Sequence, residues 1–195
     1  MEERDKRRVG EQVEPGGRPK APGRLELLQR FINSSNHDFP PDWDRIGTAA
    51  KTQAWLRRKR LVTADDSVSE AEAARLRALR EALRALVVHG AELDATSAGI
   101  IRDAARSAPL GIALDGAGRT ALEPTGRGVD GAVATLLGIL HEAQVTGHWA
   151  RMKACRQCEY AFYDRSKNRS AAWCAMSICG NRTKNRAYYQ RRRSG

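Results

Sequence analysis

The sequence predicts a mainly α-helical protein of α+β class, with one small β-hairpin in its helical part and a compact cysteine-rich module at its C-terminal end. Three observations carry that prediction. Apolar residues recur at three- and four-residue steps in five segments. Two short apolar runs flank Asp115-Gly116-Ala117-Gly118, and Cys155, Cys158, Cys174 and Cys179 all fall in the last quarter of the chain.

Residues 1–23 mix charges with Pro15, Gly16, Gly17, Pro19, Pro22 and Gly23 and show no apolar period, the composition of a disordered arm without fold information. From Arg24 the pattern turns helical: Leu25, Leu28, Phe31 and Ile32 share a face, and Asn33 to Asn36 end it. His37 to Trp43, with two prolines, reads as a loop. A second helix runs from Thr48 to about Lys59, with Trp55 and Leu56 inward and Arg57 to Arg60 trailing at the end where the helix dipole favours cations. The third opens on a Ser69/Glu72 capping box, continues through Leu76, Leu79, Leu83, Leu86 and Val87, and stops at Gly90. A fourth, Thr96 to Arg106, turns Ile100, Ile101, Ala104 and Ala105 inward before Pro109. The hairpin pairs Leu110–Leu114 with Arg119–Glu123. Asp130 is placed to cap the fifth helix, with Val133, Leu136, Leu137, Leu140 and Ala143 as its stripe. Residues 24–150 thus form one mainly helical domain of ordinary size, and 151–195 a second unit.

The two units differ in charge. Residues 1–150 hold 22 basic and 21 acidic side chains, whereas 151–195 hold 12 and 2, so nearly all of the net +11 belongs to the C-terminal unit. Such an excess seeks a polyanion. The longest apolar run, Ala132 to Leu140, is broken by Thr135 and Gly138 and is far short of the ~20 residues that span a bilayer. The N-terminal residues lack the apolar segment of a secretory signal, so a cytoplasmic protein with reduced thiols is expected. Phosphate-binding glycine loops, nucleophile elbows and His-Glu-x-x-His helices are all missing from the helical domain. His37, His89 and His141 stand apart from one another, which leaves no catalytic constellation, and the protein is read as a non-enzyme.

The cysteines are spaced C-x2-C-x15-C-x4-C. Two close pairs joined by about fifteen residues can each hold one edge of a tetrahedral ion, and four thiolates select a single structural Zn²⁺ with no open position. Two disulfides would need an oxidising compartment, and a redox-active Cys-x-x-Cys would need a βαβ setting. His148 could in principle replace one thiolate, although four cysteines already fill the shell. A knuckle, a hairpin and a helix beginning near Cys179 give a treble-clef-like order, with Phe162 and Trp173 as its small core. Beyond Cys179, residues 180–193 contain no acid; as a helix they span roughly 20 Å, enough to lie along a DNA groove.

Cys155-x-x-Cys158, Phe162, Asp164-Arg165-Ser166-Lys167-Asn168, Trp173-Cys174-x-Met176 and Cys179-Gly180-Asn181-Arg182 resemble the CGNR zinc finger. Phe31-Ile32-Asn33, Trp55-Leu56 and Arg80-Glu81-Ala82-Leu83 resemble the ABATE domain that precedes it. The resemblance implies a bacterial stress-induced transcription regulator whose finger binds DNA, with Cys155, Cys158, Cys174 and Cys179 as metal ligands. The family often has basic residues before the Trp-Cys pair; here they are Ala171 and Ala172, which removes a phosphate contact. The expected partner is double-stranded DNA, met by Arg182, Lys184, Arg186, Arg191, Arg192, Arg193, Arg165 and Lys167. The helical domain is then left to sense a small effector or to form a homodimer. The rival reading is an RNA-binding or ribosome-associated module, using Tyr160, Tyr163, Tyr188 and Tyr189 against unpaired bases.

Overall fold

The computed structural model describes residues 14–36, 38 and 40–194. Its elements follow the expected order: α1 (Leu25–Ile32), α2 (Ala49–Arg58), α3 (Glu70–His89), α4 (Ala95–Ser107), β1 (Leu110–Leu114), β2 (Thr120–Pro124), α5 (Gly128–Val145), β3 (Met152–Ala154), β4 (Ala161–Tyr163) and α6 (Asn181–Ser194). Both sheets are antiparallel pairs, β1 with β2 and β3 with β4.

Local signals set the helix starts. The Thr48 hydroxyl accepts from the Lys51 amide, and Ser69 and Glu72 close both halves of the capping box. Helix α5 begins earlier than its sequence suggests. Asp130 is not its cap but lies in its first turn, where it pairs with Arg75 of α3. The stripe expected on α5 is also too narrow, since burial from Val129 to Leu140 continues nearly all round. The reason is its central position: α1, α4 and the β1–β2 hairpin all pack on it. On α4, Ala104 is buried whereas Ala105 faces solvent, because only one side of that helix meets α3 and α5. The hairpin pairs Leu114 with Thr120, one residue later than expected. Asp115 causes the shift, its carboxylate collecting the Ala117 and Arg119 amides across the turn.

Three arginines of α3 hold the segment between α1 and α2. Buried Arg80 forks onto Asp44 at 2.7 and 2.9 Å, Arg84 donates to the Ile32 and Ser35 carbonyls, and Arg77 donates to those of Ile46 and Gly47. Against its own burial, the Arg80 fork and the Ile46 amide hold the Asp44 carboxyl below its usual range.

The disordered arm expected over 1–23 requires correction. Residues 1–13 lie outside the described residues, but from Glu14 the chain is built into the fold: Glu14 and Ala21 are buried, and Pro15–Gly17 forms a 3-10 turn. Composition misled here because the strap is held by polar contacts to distant residues rather than by an apolar stripe.

The boundary at 150/151 does not separate two cores. Along β4, Ala161 and Tyr163 point into the core of the helical domain while Phe162 points into a second core with the four cysteines, as the two-residue period of a strand dictates. Strand β3 lies against α3 and β4 against α1, so the C-terminal unit is docked onto these two helices.

Candidate metal centre and nucleic-acid interface

The second core is built from two turns. In the first, between β3 and β4, the Cys155 amide donates to Tyr160 O at 3.0 Å and the Glu159 amide to Cys155 O at 2.8 Å, with Glu159 in the left-handed region at φ 55°. This turn carries Cys155 and Cys158 and is itself the loop of the hairpin. The expected order of knuckle and then hairpin is therefore replaced by strand, knuckle, strand. The second turn runs through Met176–Gly180 in π-type geometry, with the Cys179 amide on Ala175 O, and carries Cys174 and Cys179 to the start of α6. The Arg156 amide donates to Ala172 O and ties the two turns together.

The spacer between them is organised by Asp164, a residue the sequence presents only as part of a polar turn. It is fully buried, with Oδ1 accepting from the Ser166 amide, Oδ2 accepting from the Ala171 amide, and Lys153 paired at 3.2 Å. Burial opposes its charge, but these donors prevail and hold its carboxyl down to about 2.

All four Sγ atoms lie within 4.8 Å of one another, and all four cysteines are buried. The Cys158–Cys174, Cys174–Cys179 and Cys179–Cys158 sulfurs are 3.7, 3.6 and 3.7 Å apart. A tetrahedron with ~2.3 Å zinc–sulfur bonds has edges of about 3.8 Å, so the donor set fits one Zn²⁺. Without a cation such a cluster retains protons. A thiol bond from Cys174 holds Cys158 down to about 6, the same contact drives Cys174 far up, and burial pushes Cys179 up to about 12. His148 is not in the ligand shell; its Nδ1 lies 2.7 Å from the Tyr163 hydroxyl.

Phe162 is fully buried beside the cysteines, and Trp173 packs half-buried against them, as expected of a small core. The cationic residues fall into two sets. Lys184, Arg186, Arg191 and Arg193 are exposed on α6 and Lys167 on the spacer loop, whereas Arg192, also exposed, donates to the Tyr188 hydroxyl at 3.4 Å and lies over its ring. Arg182 is paired with Asp38 at 2.9 Å, and Arg165 donates to Lys20 O and lies over the Tyr163 ring. Helix α6 is anchored at its first turn, where the Thr183 hydroxyl bonds Cys179 O at 2.9 Å and Gln157 Oε1 at 3.3 Å. Among the four tyrosines, Tyr160 and Tyr163 are buried and withdrawn from any role in base stacking, whereas Tyr188 and Tyr189 are 49% and 63% exposed.

Sequence reasoning missed the residues that bind this unit to the rest. Gln29, fully buried on α1, accepts from the Ala21 amide and donates to Glu14 Oε2 and Ala161 O. Asn33 takes both polar groups of Ala161, and Tyr160 donates to Glu14. Burial pushes the Glu14 carboxyl up, and its Oε1 has no hydrogen-bond partner among the described residues. The only local hint was polarity at helical positions that the apolar period assigns to the interior.

These features define a zinc-finger protein in which a tetrathiolate module with a basic helix is docked on a helical domain. Residues 151–192 match the model of the CGNR zinc finger. Residues 25–151, about two thirds of the chain, match that of ABATE, "Putative stress-induced transcription regulator", and the chain belongs to that family. No curated protein matches it. No helix of the described residues is long and apolar enough to cross a membrane.

Proposed function

We propose that the protein is a DNA-binding transcription regulator of the bacterial cytoplasm and nucleoid, acting by binding rather than by catalysis. The supporting observation is α6, which projects six cations and no acid directly beyond the fourth zinc ligand. With zinc bound, Cys155, Cys158, Cys174 and Cys179 would hold a net negative centre beside the positive N-terminal end of α6. Lys184, Arg186, Arg191, Arg192 and Arg193 meet phosphates, Lys167 adds a contact from the spacer loop, and Arg182 and Arg165 join once their present partners yield. Anisotropy titrations of zinc-loaded full-length protein with duplex DNA test the reading. The five α6 contacts alone give a log–log salt slope of about −4.5, each further contact steepens it by about 0.9, and a flat slope overturns the reading.

The exposed Tyr188 and Tyr189 favour a second reading, stacking of unpaired RNA bases on the same helix. Competition between duplex DNA and single-stranded RNA separates the two. For the helical domain, homodimerisation through exposed Ile112 and Leu114 of the hairpin is the reading favoured by their 79% and 70% exposure. A monomer in sedimentation equilibrium overturns it. A groove of about 400 Å³ between the end of α3 and the finger, with Val87, Val88, Lys153, Arg156 and Glu159 in its walls, is the place proposed for a small effector.

A further inference from the structure

The four sulfurs are only the inner part of the zinc site. Arg18, from the strap that precedes α1, reaches across 155 residues of sequence to its rim. Its Nε donates to the carbonyl of the ligand residue Cys174 at 2.8 Å, its Nη2 to Trp173 O at 3.0 Å, and its Nη1 to Tyr163 O at 3.5 Å. The guanidinium carbon stands 4.4 Å from the centre of the Phe162 ring, which is buried in the same core as the cysteines. One planar cation thus grips two successive carbonyls, those of Trp173 and Cys174, and a ring beneath it sets its tilt.

The strap is shaped to deliver this group. Gly16 lies in the left-handed region at φ 63°, and a Cβ added there would meet Ala175 Cβ at 2.8 Å. Only glycine lets the strap pass so close to the second metal turn. On either side of Arg18 the strap is pinned to the helical domain, by Glu14 and by the Ala21 amide, both on Gln29.

We infer that Arg18 is a positioning residue of the metal centre, and that docking of the Glu14–Ala21 strap and loading of zinc strengthen each other. Two physical reasons support this. A divalent ion with four thiolates leaves a double negative charge, which a neighbouring guanidinium offsets. Its hydrogen bonds also hold the Cys174 backbone in the ligating position before the metal arrives, the role that outer-shell partners play at metal sites. The coupling is reciprocal: whatever the strap adds to zinc affinity, zinc adds to strap docking.

The test uses the full-length chain and zinc alone. Chelator competition should show Arg18→Ala binding zinc about 10- to 100-fold more weakly, the range found for outer-shell partners. Arg18→Lys should recover only part of the loss, since an ammonium keeps the charge but not the fork. The visible bands of the Co²⁺-substituted protein should shift in Arg18→Ala, a signature of altered thiolate geometry. Reciprocally, trypsin should cut after Lys20 slowly in the zinc-loaded protein and quickly after chelation. Wild-type zinc affinity and Co²⁺ bands in Arg18→Ala overturn the inference. If that variant loses its helical circular dichroism, Gly16→Ala and Arg18→Lys decide: reduced affinity in both supports the coupling, and wild-type affinity in both overturns it.

Discussion

Asn33 pairs with Ala161 as a neighbouring strand would: its Nδ2 donates to Ala161 O at 2.7 Å and its Oδ1 accepts from Ala161 N at 2.9 Å. A single side chain at the end of α1 thereby supplies the ladder that β4 lacks on that edge. Asn33→Ala leaves the buried Ala161 amide without this acceptor and should destabilise the protein by about 1–3 kcal/mol. Urea unfolding followed by Trp fluorescence measures this, and a midpoint equal to wild type would show that the contact contributes nothing.

Arg80→Ala should cost more, about 3–5 kcal/mol, because it leaves the Asp44 carboxylate half-desolvated without its fork. Arg80→Met should cost less if Asp44→Asn accompanies it, since the pair is then removed together. Thermal melts of Arg80→Ala and of the Arg80→Met/Asp44→Asn double variant give the ranking.

Acid tests Asp164. Its folded carboxyl titrates at about 2, below its usual value of 3.8, so its stabilisation is complete above the unfolded pKa and fades as pH falls through the folded one. Asp164→Asn should therefore lie below wild type by about 2 kcal/mol at neutral pH, with the gap closing between about pH 4 and 2. The same zinc-free preparation should be used at every pH, and a gap independent of pH would refute the assignment.

Zinc binding should release protons, since Cys174 and Cys179 hold theirs at neutral pH without metal. Calorimetry in buffers of different ionisation enthalpy counts them, and affinity should rise with pH. Cys174→Ser should abolish stoichiometric zinc, and chelation of the wild type should melt α6, read as a loss of helical circular dichroism. Unchanged metal content in Cys174→Ser would remove that residue from the ligand set.

What the sequence made legible was local or ligand-specific. Apolar periods placed the helices, Ser69 and Glu72 marked a helix start, and cysteine spacing identified the ligands. What it hid depends on contacts between distant positions. Arg18 reads as one more charge between Gly17 and Pro19, yet its partners are at 163, 173 and 174. Asn33 reads as a helix breaker and is also a docking residue. Asp164 reads as a solvated turn residue and is buried, because its donors come from the fold of the spacer itself. The basic helix was evident from composition, but the ion pair that ties Arg182 to Asp38 was not.

Strand β4 carries one further consequence. With Ala161 and Tyr163 committed to one core and Phe162 to the other, the finger is not a portable cassette. Cut free at Arg151, it would bare Met152, Ala161 and Tyr163 as an oily flank, and it would lose Arg18 from its rim. The unit that must fold together is therefore the chain from the strap onward, and a graft of this finger onto another protein should succeed only if the host supplies a substitute for α1.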